Sequence, residues 1–233
     1  MNTRKLSLKT IPIIILTTNM IFLCNNFALA FNLKEYYPLE QGNSWTYVIS
    51  DEKNIVEENT IAVDNTELFN RIKVTKITAS TEEDEYTYTA IDSQGIKEYK
   101  VLDDNTSYIY TPPRLLFPNI EIGKSIEYST NLMRANDNSI KEIDAGIITL
   151  DSIEDIEVSA GKFKDCLKFT KNYSNKEEDG NKCKTYDCSI WLAPNIGKIK
   201  EFCIETKKDN NTFHFKLLEL KSAIINGKEI KNY

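Results

Sequence analysis

Four cysteines have the clearest capacity for chemistry in this chain, because thiols form disulfides, bind metals or act as nucleophiles. Cys166, Cys183, Cys188 and Cys203 lie close together in sequence, and their number is even. They form no CxxC motif, and the single histidine, His214, follows the last of them by eleven residues, which is unlike the spacing of zinc sites. In an oxidising compartment this pattern predicts two disulfides and no metal site.

The pairing of these cysteines is inferred from strand register. A tight turn at residues 194–197 places Cys188 opposite Cys203 in a hairpin. This register favours a Cys188–Cys203 disulfide and leaves Cys166–Cys183 as the second. Counting back around the preceding loop also brings Cys166 near Cys188. A second pairing therefore stays open, with Cys166 joined to Cys188 and the other two cysteines joined to each other.

Nucleophilic catalysis in this chain would depend on His214 as its base. His214 alternates with Phe213 and Phe215 in a strand pattern, which predicts a solvent-facing histidine rather than a general base. No glycine-rich phosphate loop of the GxxxxGK[ST] or GxGxxG type occurs. We therefore expect no catalytic residue, no cofactor and no enzyme activity.

The first thirty residues have the three zones of a secretory signal peptide. Three basic residues precede an apolar stretch over residues 11–23, and small residues before Phe31 mark cleavage after Ala30. The apolar stretch is too short and too interrupted for a spanning helix, which needs about 20 apolar residues. The alternative is a lipoprotein acylated at Cys24, the one form in which we expect membrane contact. The sequence predicts an extracytoplasmic protein, secreted or held in the cell envelope.

The mature chain is acidic. Removal of residues 1–30 takes three of the 29 basic residues and none of the 35 acidic ones, so the formal net charge becomes −9 instead of −6. Nucleic acids and anionic lipids are bound through clustered lysine and arginine, and no such cluster occurs. The partner is therefore expected to be a protein of the envelope or a hydrophobic ligand, and not a nucleic acid.

Alternation of apolar and polar residues, interrupted by turn residues, runs from residue 44 to the end of the chain. This pattern predicts an all-β protein, an antiparallel meander of about ten to twelve strands that forms a curved sheet or half-barrel. One helical turn is indicated at residues 33–37. The mature residues 31–233 are predicted to form a single domain.

Similar short segments suggest an internal duplication, with repeats over residues 36–111 and 117–221. The Pro-rich segment between them would be an extended connector. Its apolar residues Leu115, Leu116 and Phe117 are candidates for a hydrophobic lid over the sheet.

Three short motifs combine turn residues with aromatic residues. They are centred on Pro38, Gly42 and Trp45, on Gly161 and Phe163, and on Trp191 and Gly197. In this order they resemble signatures of the TapB family, secreted bacterial proteins that are pilus-associated and of unknown function. The resemblance spans about residues 36–205. It implies a curved antiparallel sheet, comparable with the half-barrel of LolA-type lipoprotein carriers, and supplies no catalytic residues. The alternating pattern predicts that both tryptophans pack in a core.

Two functions are compatible with these features. The first is a non-enzymatic interaction or assembly module that docks another envelope component through a sheet edge or an acidic face. The alternative is a carrier that holds a lipid or another hydrophobic ligand on the concave face of the sheet. The first requires a filled core, and the second requires an apolar cavity.

Overall fold

The computed structural model describes residues 31–53, 56–80, 85–177, 183–207 and 212–231. The predicted signal peptide, its cleavage site after Ala30 and the alternative acylation site at Cys24 lie outside these residues. Within them, no helix is long and apolar enough to cross a bilayer.

The described residues form one helical turn and thirteen β-strands. The helix is α1 (Leu33–Tyr36), and its first turn is capped by the side chain of Asn32, which accepts a hydrogen bond from the Lys34 amide. The strands are β1 (Ser44–Asp51), β2 (Val56–Phe69), β3 (Ile72–Ala79), β4 (Tyr86–Asp92), β5 (Gly95–Asp103), β6 (Thr106–Pro118), β7 (Lys124–Arg134), β8 (Ile140–Val158), β9 (Gly161–Glu177), β10 (Cys183–Ala193), β11 (Gly197–Lys207), β12 (Thr212–Ile225) and β13 (Lys228–Ile230).

Each strand pairs antiparallel with the next one, so the predicted all-β meander is confirmed. The sheet also closes on itself, because β1 pairs with residues 216–224 of β12. The result is a twelve-stranded barrel, with β13 added beside the end of β12. The sequence pattern predicted a curved sheet or half-barrel, and the pairing of the first strand with the twelfth completes it.

The segment predicted to be a connector with a lid belongs to β6. Leu115 and Phe117 are buried in the core, where Leu116 packs against them, and residues 114–118 pair with β5. The lid interpretation is therefore wrong. Pairing of β6 with β7 stops at Thr111, because Pro112 and Pro113 have no amide hydrogen to donate.

Two apolar clusters fill the end of the barrel at which α1 packs. The first joins α1 to inward-facing residues of several strands: Leu33, Tyr36, Ile96, Phe117, Ile148, Leu150, Leu167 and Phe169. The second joins β1 and β12 to the hairpin turns: Trp45, Val158, Ala160, Cys166, Ala193, Ile199 and Leu220. A smaller apolar cluster of Val101, Tyr108, Tyr110 and Leu132 lies towards the other end of the barrel.

The predicted repeats begin with β1 and β7, the first strands of two six-strand halves. Gly42 and Gly123 precede these strands, and both have positive φ angles, of 89° and 76°. The residues three positions after these glycines differ in burial, because Trp45 is 6% exposed whereas Ile126 is 39% exposed. The duplication stays a prediction.

Candidate binding site in the barrel interior

The inward face of the barrel changes from apolar to polar along β9, β10 and β11. Alternate residues of a barrel strand face the interior. On β9 these are Leu167 and Phe169 near α1, followed by Lys171 and then Tyr173. The same change occurs on β10 and β11, where Ile190 is followed by Tyr186, and Ile199 by Glu201 and Glu205. The interior beyond the apolar clusters is therefore built for polar contacts.

A cavity of about 550 Å³ opens at the polar end of the barrel. We call it the mouth cavity. Residues of β1, β2, β9, β10, β11 and β12 surround it: Ile49, Asp51, Glu52, Glu57, Tyr173, Tyr186, Glu201, Cys203, Glu205, His214, Phe215 and Lys216. Five of these twelve residues are acidic and two are basic, so the mouth cavity carries a negative charge.

The carboxylates of the mouth cavity differ in their partners. Glu52 lies 2.6 Å from Nδ1 of His214, and this contact lowers the pKa of Glu52. Burial opposes ionisation of Glu201, but the adjacent Lys198 holds the pKa of Glu201 below its usual value. Glu205 lies 3.3 Å from the Lys184 ammonium at the rim. Interactions with His214 and Lys198 therefore favour the ionised forms of Glu52 and Glu201.

Two tyrosines form an aromatic wall in the mouth cavity. The rings of Tyr173 and Tyr186 are stacked, with centroids 4.6 Å apart and planes 11° from parallel. Burial raises the pKa of both hydroxyls, so both are neutral. Gly146 makes this position possible, because a Cβ there would lie 2.5 Å from the Cβ of Tyr173. Ring faces beside carboxylates form a site suited to cations.

A second, smaller cavity of about 130 Å³ lies deeper in the barrel. We call it the inner cavity. It shares Tyr173 and Glu201 with the mouth cavity, and its other lining residues include Tyr37, Arg114, Lys171, Cys188 and Lys198. The two cavities are therefore neighbours in the barrel interior.

Arg114 is the centre of a buried charge network beside the inner cavity. Its Nε lies 3.4 Å from Oδ2 of Asp144 and 3.7 Å from Oε2 of Glu98, and Nη1 donates a 3.0 Å hydrogen bond to the Tyr110 hydroxyl. The other oxygen of Asp144 accepts a 2.7 Å hydrogen bond from Tyr128. Among the described residues, no group hydrogen-bonds Nε of Arg114 or Oδ2 of Asp144 with good geometry. Arg114 is thus ion-paired but retains an unfilled donor.

Lys171 lies beside this network with a different set of contacts. Its ammonium group rests between the rings of Tyr128 and Tyr173, at 4.7 and 4.5 Å from their centroids. Burial and the charge of Arg114 lower the pKa of Lys171 to about 7. A group that titrates near neutral pH inside a cavity is a feature of functional sites.

Cys188 and Cys203 form a disulfide on the interior wall, and their Cα atoms are 4.1 Å apart. The predicted register is confirmed, because Cys188 is paired with Cys203 across β10 and β11. The turn itself differs from the prediction by one residue, and a bulge between Trp191 and Leu192 restores the register.

The predicted Cys166–Cys183 disulfide is wrong, because both cysteines are free thiols. Cys183 pairs with Lys176, ten residues along β9 from Cys166, so the two thiols lie at opposite ends of the barrel. The alternative Cys166–Cys188 pairing fails for the same reason, because Lys171 is the residue opposite Cys188.

Cys188, Cys203 and Glu201 bring three potential metal ligands within 4.8 Å of one another. The two sulfurs are bonded to each other, so this set offers a metal ion only the Glu201 carboxylate. In its oxidised form the cluster is therefore part of the cavity wall and not a metal centre.

His214 lies at the rim of the mouth cavity. The sequence pattern correctly separates it from Phe213, which is 69% exposed on the outside of the barrel. His214 is 41% exposed, in agreement with the predicted solvent-facing position, and it lies on the inner face of the rim, where it pairs with Glu205. Closure of the sheet makes this face the interior.

The motif residues predicted from the TapB resemblance lie in the second apolar cluster or its turns. Trp45 is buried there, and Trp191 and Phe163 pack against it. Gly161 begins β9 in a hairpin turn with a φ of 132°. Gly42, before β1, has nothing near the place of a Cβ, and Gly197 faces Trp45 and Pro38. The motifs position the strands and contribute no side chain to the two cavities.

The charged residues of the inner cavity were not predicted. Arg114 lies in the segment that was predicted to be a connector, and no role was predicted for Lys171. The signal was present in β9, because Lys171 has the same parity as Leu167 and Phe169 and therefore faces the core. A charged residue in such a position indicates a buried polar network.

The fold and cavities define an all-β closed meander with a charged interior. No protein-family model matches the chain, and no curated protein matches its sequence. A provisionally named lipoprotein from Parabacteroides distasonis has a similar structure, with 16% identity, a TM-score of 0.44, and coverage of 80% of this chain and 98% of that one. A provisionally named exported protein with a YmcC-like fold from Bacteroides fragilis has 12% identity, a TM-score of 0.37, and coverage of 79% and 98%. Similarity at this level assigns no function.

Proposed function

We propose that this protein is a non-enzymatic interaction module of the cell envelope or the extracellular space. It docks a positively charged segment of a protein partner in its mouth cavity. The signal-peptide pattern of residues 1–30 supports the location. The acidic, aromatic-walled cavity supports the chemistry of the partner.

The observation that carries the proposal is the charge of the mouth cavity. Asp51, Glu52, Glu57, Glu201 and Glu205 line the mouth cavity together with Lys216 and His214, and Lys198 and Lys184 pair with Glu201 and Glu205 from beside it. Lysine and arginine side chains bind carboxylates by charge-assisted hydrogen bonds and stack on aromatic faces. A basic segment would therefore satisfy both the carboxylates and the tyrosine wall.

The hydrophobic-ligand alternative has less support in the structure. A carrier for a lipid needs a largely apolar pocket with few polar groups. Charged groups make up more than half of the lining of the mouth cavity, and Arg114, Lys171, Lys198 and Glu201 enter the inner cavity. These charged groups favour a polar ligand over an acyl chain in both cavities.

Peptide binding tests the proposal. A lysine- and arginine-containing peptide should bind the purified mature protein with an affinity that falls as salt rises, whereas a matched glutamate-containing peptide should not bind. The variants Glu57→Gln and Glu205→Gln should each weaken binding about tenfold, which corresponds to about 1.4 kcal/mol.

The matched control is Glu157→Gln, which removes an exposed carboxylate paired with Lys162 on the hairpin at the other end of β9. This variant should bind like the unmodified protein. Equal binding of basic and acidic peptides, or an equal effect of all three variants, would show that the mouth cavity is not the docking site.

A further inference from the structure

Lys171 has a buried side chain, and its ammonium group has no hydrogen-bond acceptor among the described residues. The residue is 5% exposed and lines the inner cavity. Its close contacts are the faces of Tyr128 and Tyr173, and no described residue accepts a hydrogen bond from it or forms an ion pair with it. A buried polar group without a partner calls for an explanation, and a ligand is one.

The neighbouring charged groups do not supply the missing acceptor for the Lys171 ammonium group. The charged and titratable groups that face Lys171 come from α1 and its C-terminal flank, β5, β6, β7, β8, β9 and β11: Tyr37, Glu98, Tyr110, Arg114, Tyr128, Asp144, Tyr173, Lys198 and Glu201. Each of the three carboxylates already has a nearer cation, Arg114 for Glu98 and Asp144, and Lys198 for Glu201. Nε of Arg114 and Oδ2 of Asp144 lie 3.4 Å apart and are both enclosed by protein, so this Arg114 nitrogen is not open to the inner cavity. Lys171 is thus the cationic donor of the inner cavity that lacks an acceptor.

We propose that the inner cavity binds a carboxylate through Lys171, and that this carboxylate is the C-terminus of the basic segment held in the mouth cavity. The inference rests on the proposed function and names the part of the partner that enters the barrel. A chain terminus is the segment that can enter a barrel end first, with its side chains following.

The spacing of the two cavities fits such a segment. Lys171 and Tyr173 are two residues apart on β9, a rise of about 6.6 Å at the usual strand geometry. An extended peptide has the same rise, so a carboxylate at Lys171 places the side chain of a residue about two positions earlier beside the tyrosine wall. The inner cavity, at about 130 Å³, has room for a carboxylate group and its immediate neighbours.

Protonation of Lys171 should accompany binding. Because burial and Arg114 lower its pKa to about 7, part of the free protein holds this amine neutral at neutral pH. A bound carboxylate favours the ammonium form, so binding takes up a proton and the affinity falls as the pH rises above about 7. An amidated peptide lacks this contribution and should show a weaker dependence on pH.

Calorimetric titration with two forms of one basic peptide tests the inference. The free C-terminal acid should bind the mature protein about tenfold more tightly than the C-terminal amide. Lys171→Met should abolish this preference and leave the affinity for the amide unchanged, and Lys171→Arg should retain part of the preference. The acid–amide comparison on the unmodified protein stands even where a variant fails to fold.

The possible failures are distinguishable. Equal affinity for acid and amide, with both still dependent on Glu57 and Glu205, would overturn the carboxylate site and leave the docking function intact. Failure of both peptides to bind would overturn the docking function itself. Sodium acetate should not bind measurably by itself, and tight acetate binding that Lys171→Met abolishes would assign the inner cavity to a free small carboxylate instead of a chain terminus.

Discussion

The indole nitrogen of Trp45 donates a 2.5 Å hydrogen bond to the carbonyl oxygen of Ile196, a residue 151 positions later in the chain. Tyr47, on the same face of β1, donates a 2.8 Å hydrogen bond to the carbonyl of Lys198. Together they fasten the first strand to the turn between β10 and β11. The predicted core packing of Trp45 is confirmed, and its polar atom joins two of the three sequence motifs.

Replacement of Trp45 by phenylalanine should destabilise the protein by about 2 kcal/mol, because the partly buried Ile196 carbonyl loses its donor. The measurement is the free energy of unfolding from urea denaturation. Trp191→Phe is the control, because the half-buried Trp191 donates to the Glu154 side chain and not to a backbone carbonyl. Its loss should be below about 1 kcal/mol. Equal losses for the two variants would contradict a special role for the Trp45–Ile196 contact.

Gly197 should be intolerant of alanine for two separable reasons. Its φ is 100°, and a Cβ would lie 3.3 Å from the indole nitrogen of Trp45. Gly42 has a similar φ of 89° but nothing within 4 Å of the place of a Cβ. Gly42→Ala therefore reports backbone strain alone, about 1 kcal/mol, and Gly197→Ala should exceed it in urea denaturation. An equal effect would show that Trp45 moves aside without loss.

The strands were predictable because their signal is local. Alternation of apolar and polar residues predicted the antiparallel meander that the structure shows. Pro112 and Pro113 predicted a connector, although β6 continues beyond them by pairing with β5 alone. Closure of the sheet into a barrel was not predicted, because the pairing of β1 with β12 depends on the accumulated curvature of the whole sheet.

The candidate site was less predictable than the fold. Its residues come from six or more strands, and strand alternation states only that they share a face. Strand alternation places Lys171 on the inward face, where apolar residues are expected. The sequence does not show that the rings of Tyr128 and Tyr173 lie against its ammonium group there. The charge of the mouth cavity likewise appears only when β1 and β12 meet.

Thiol labelling should find two reactive cysteines in the mature protein instead of none. Cys183 is partly exposed and should react readily, whereas Cys166 is buried and burial raises its pKa to about 11, so it should react slowly without denaturant. Mass spectrometry after alkylation counts the labels, and peptide mapping locates them. Reduction should release the other two thiols and lower stability by about 3 kcal/mol, the value for a loop of this length. Absence of any label before reduction would restore a second disulfide.

The stability of the protein should rise with pH above neutrality because of Lys171. Its native pKa is about 7, whereas an unfolded lysine has a pKa of about 10.4. Between these values the unfolded chain binds a proton that the native chain does not, so stability increases with pH by up to about 1.4 kcal/mol per unit. Below the native pKa both states hold the proton, and this contribution is constant.

Urea denaturation across mildly alkaline pH measures this slope, and Lys171→Met should remove it. Lys162→Met is the control, because Lys162 is exposed in the hairpin between β8 and β9. The control should keep the slope of the unmodified protein. Burial raises the native pKa values of Tyr128 and Tyr173, so their opposite effect on stability begins only where unfolded tyrosines ionise, at about pH 10. A slope that survives in Lys171→Met would show that Lys171 remains charged in the native barrel, and its ammonium would then require a permanent acceptor in the inner cavity.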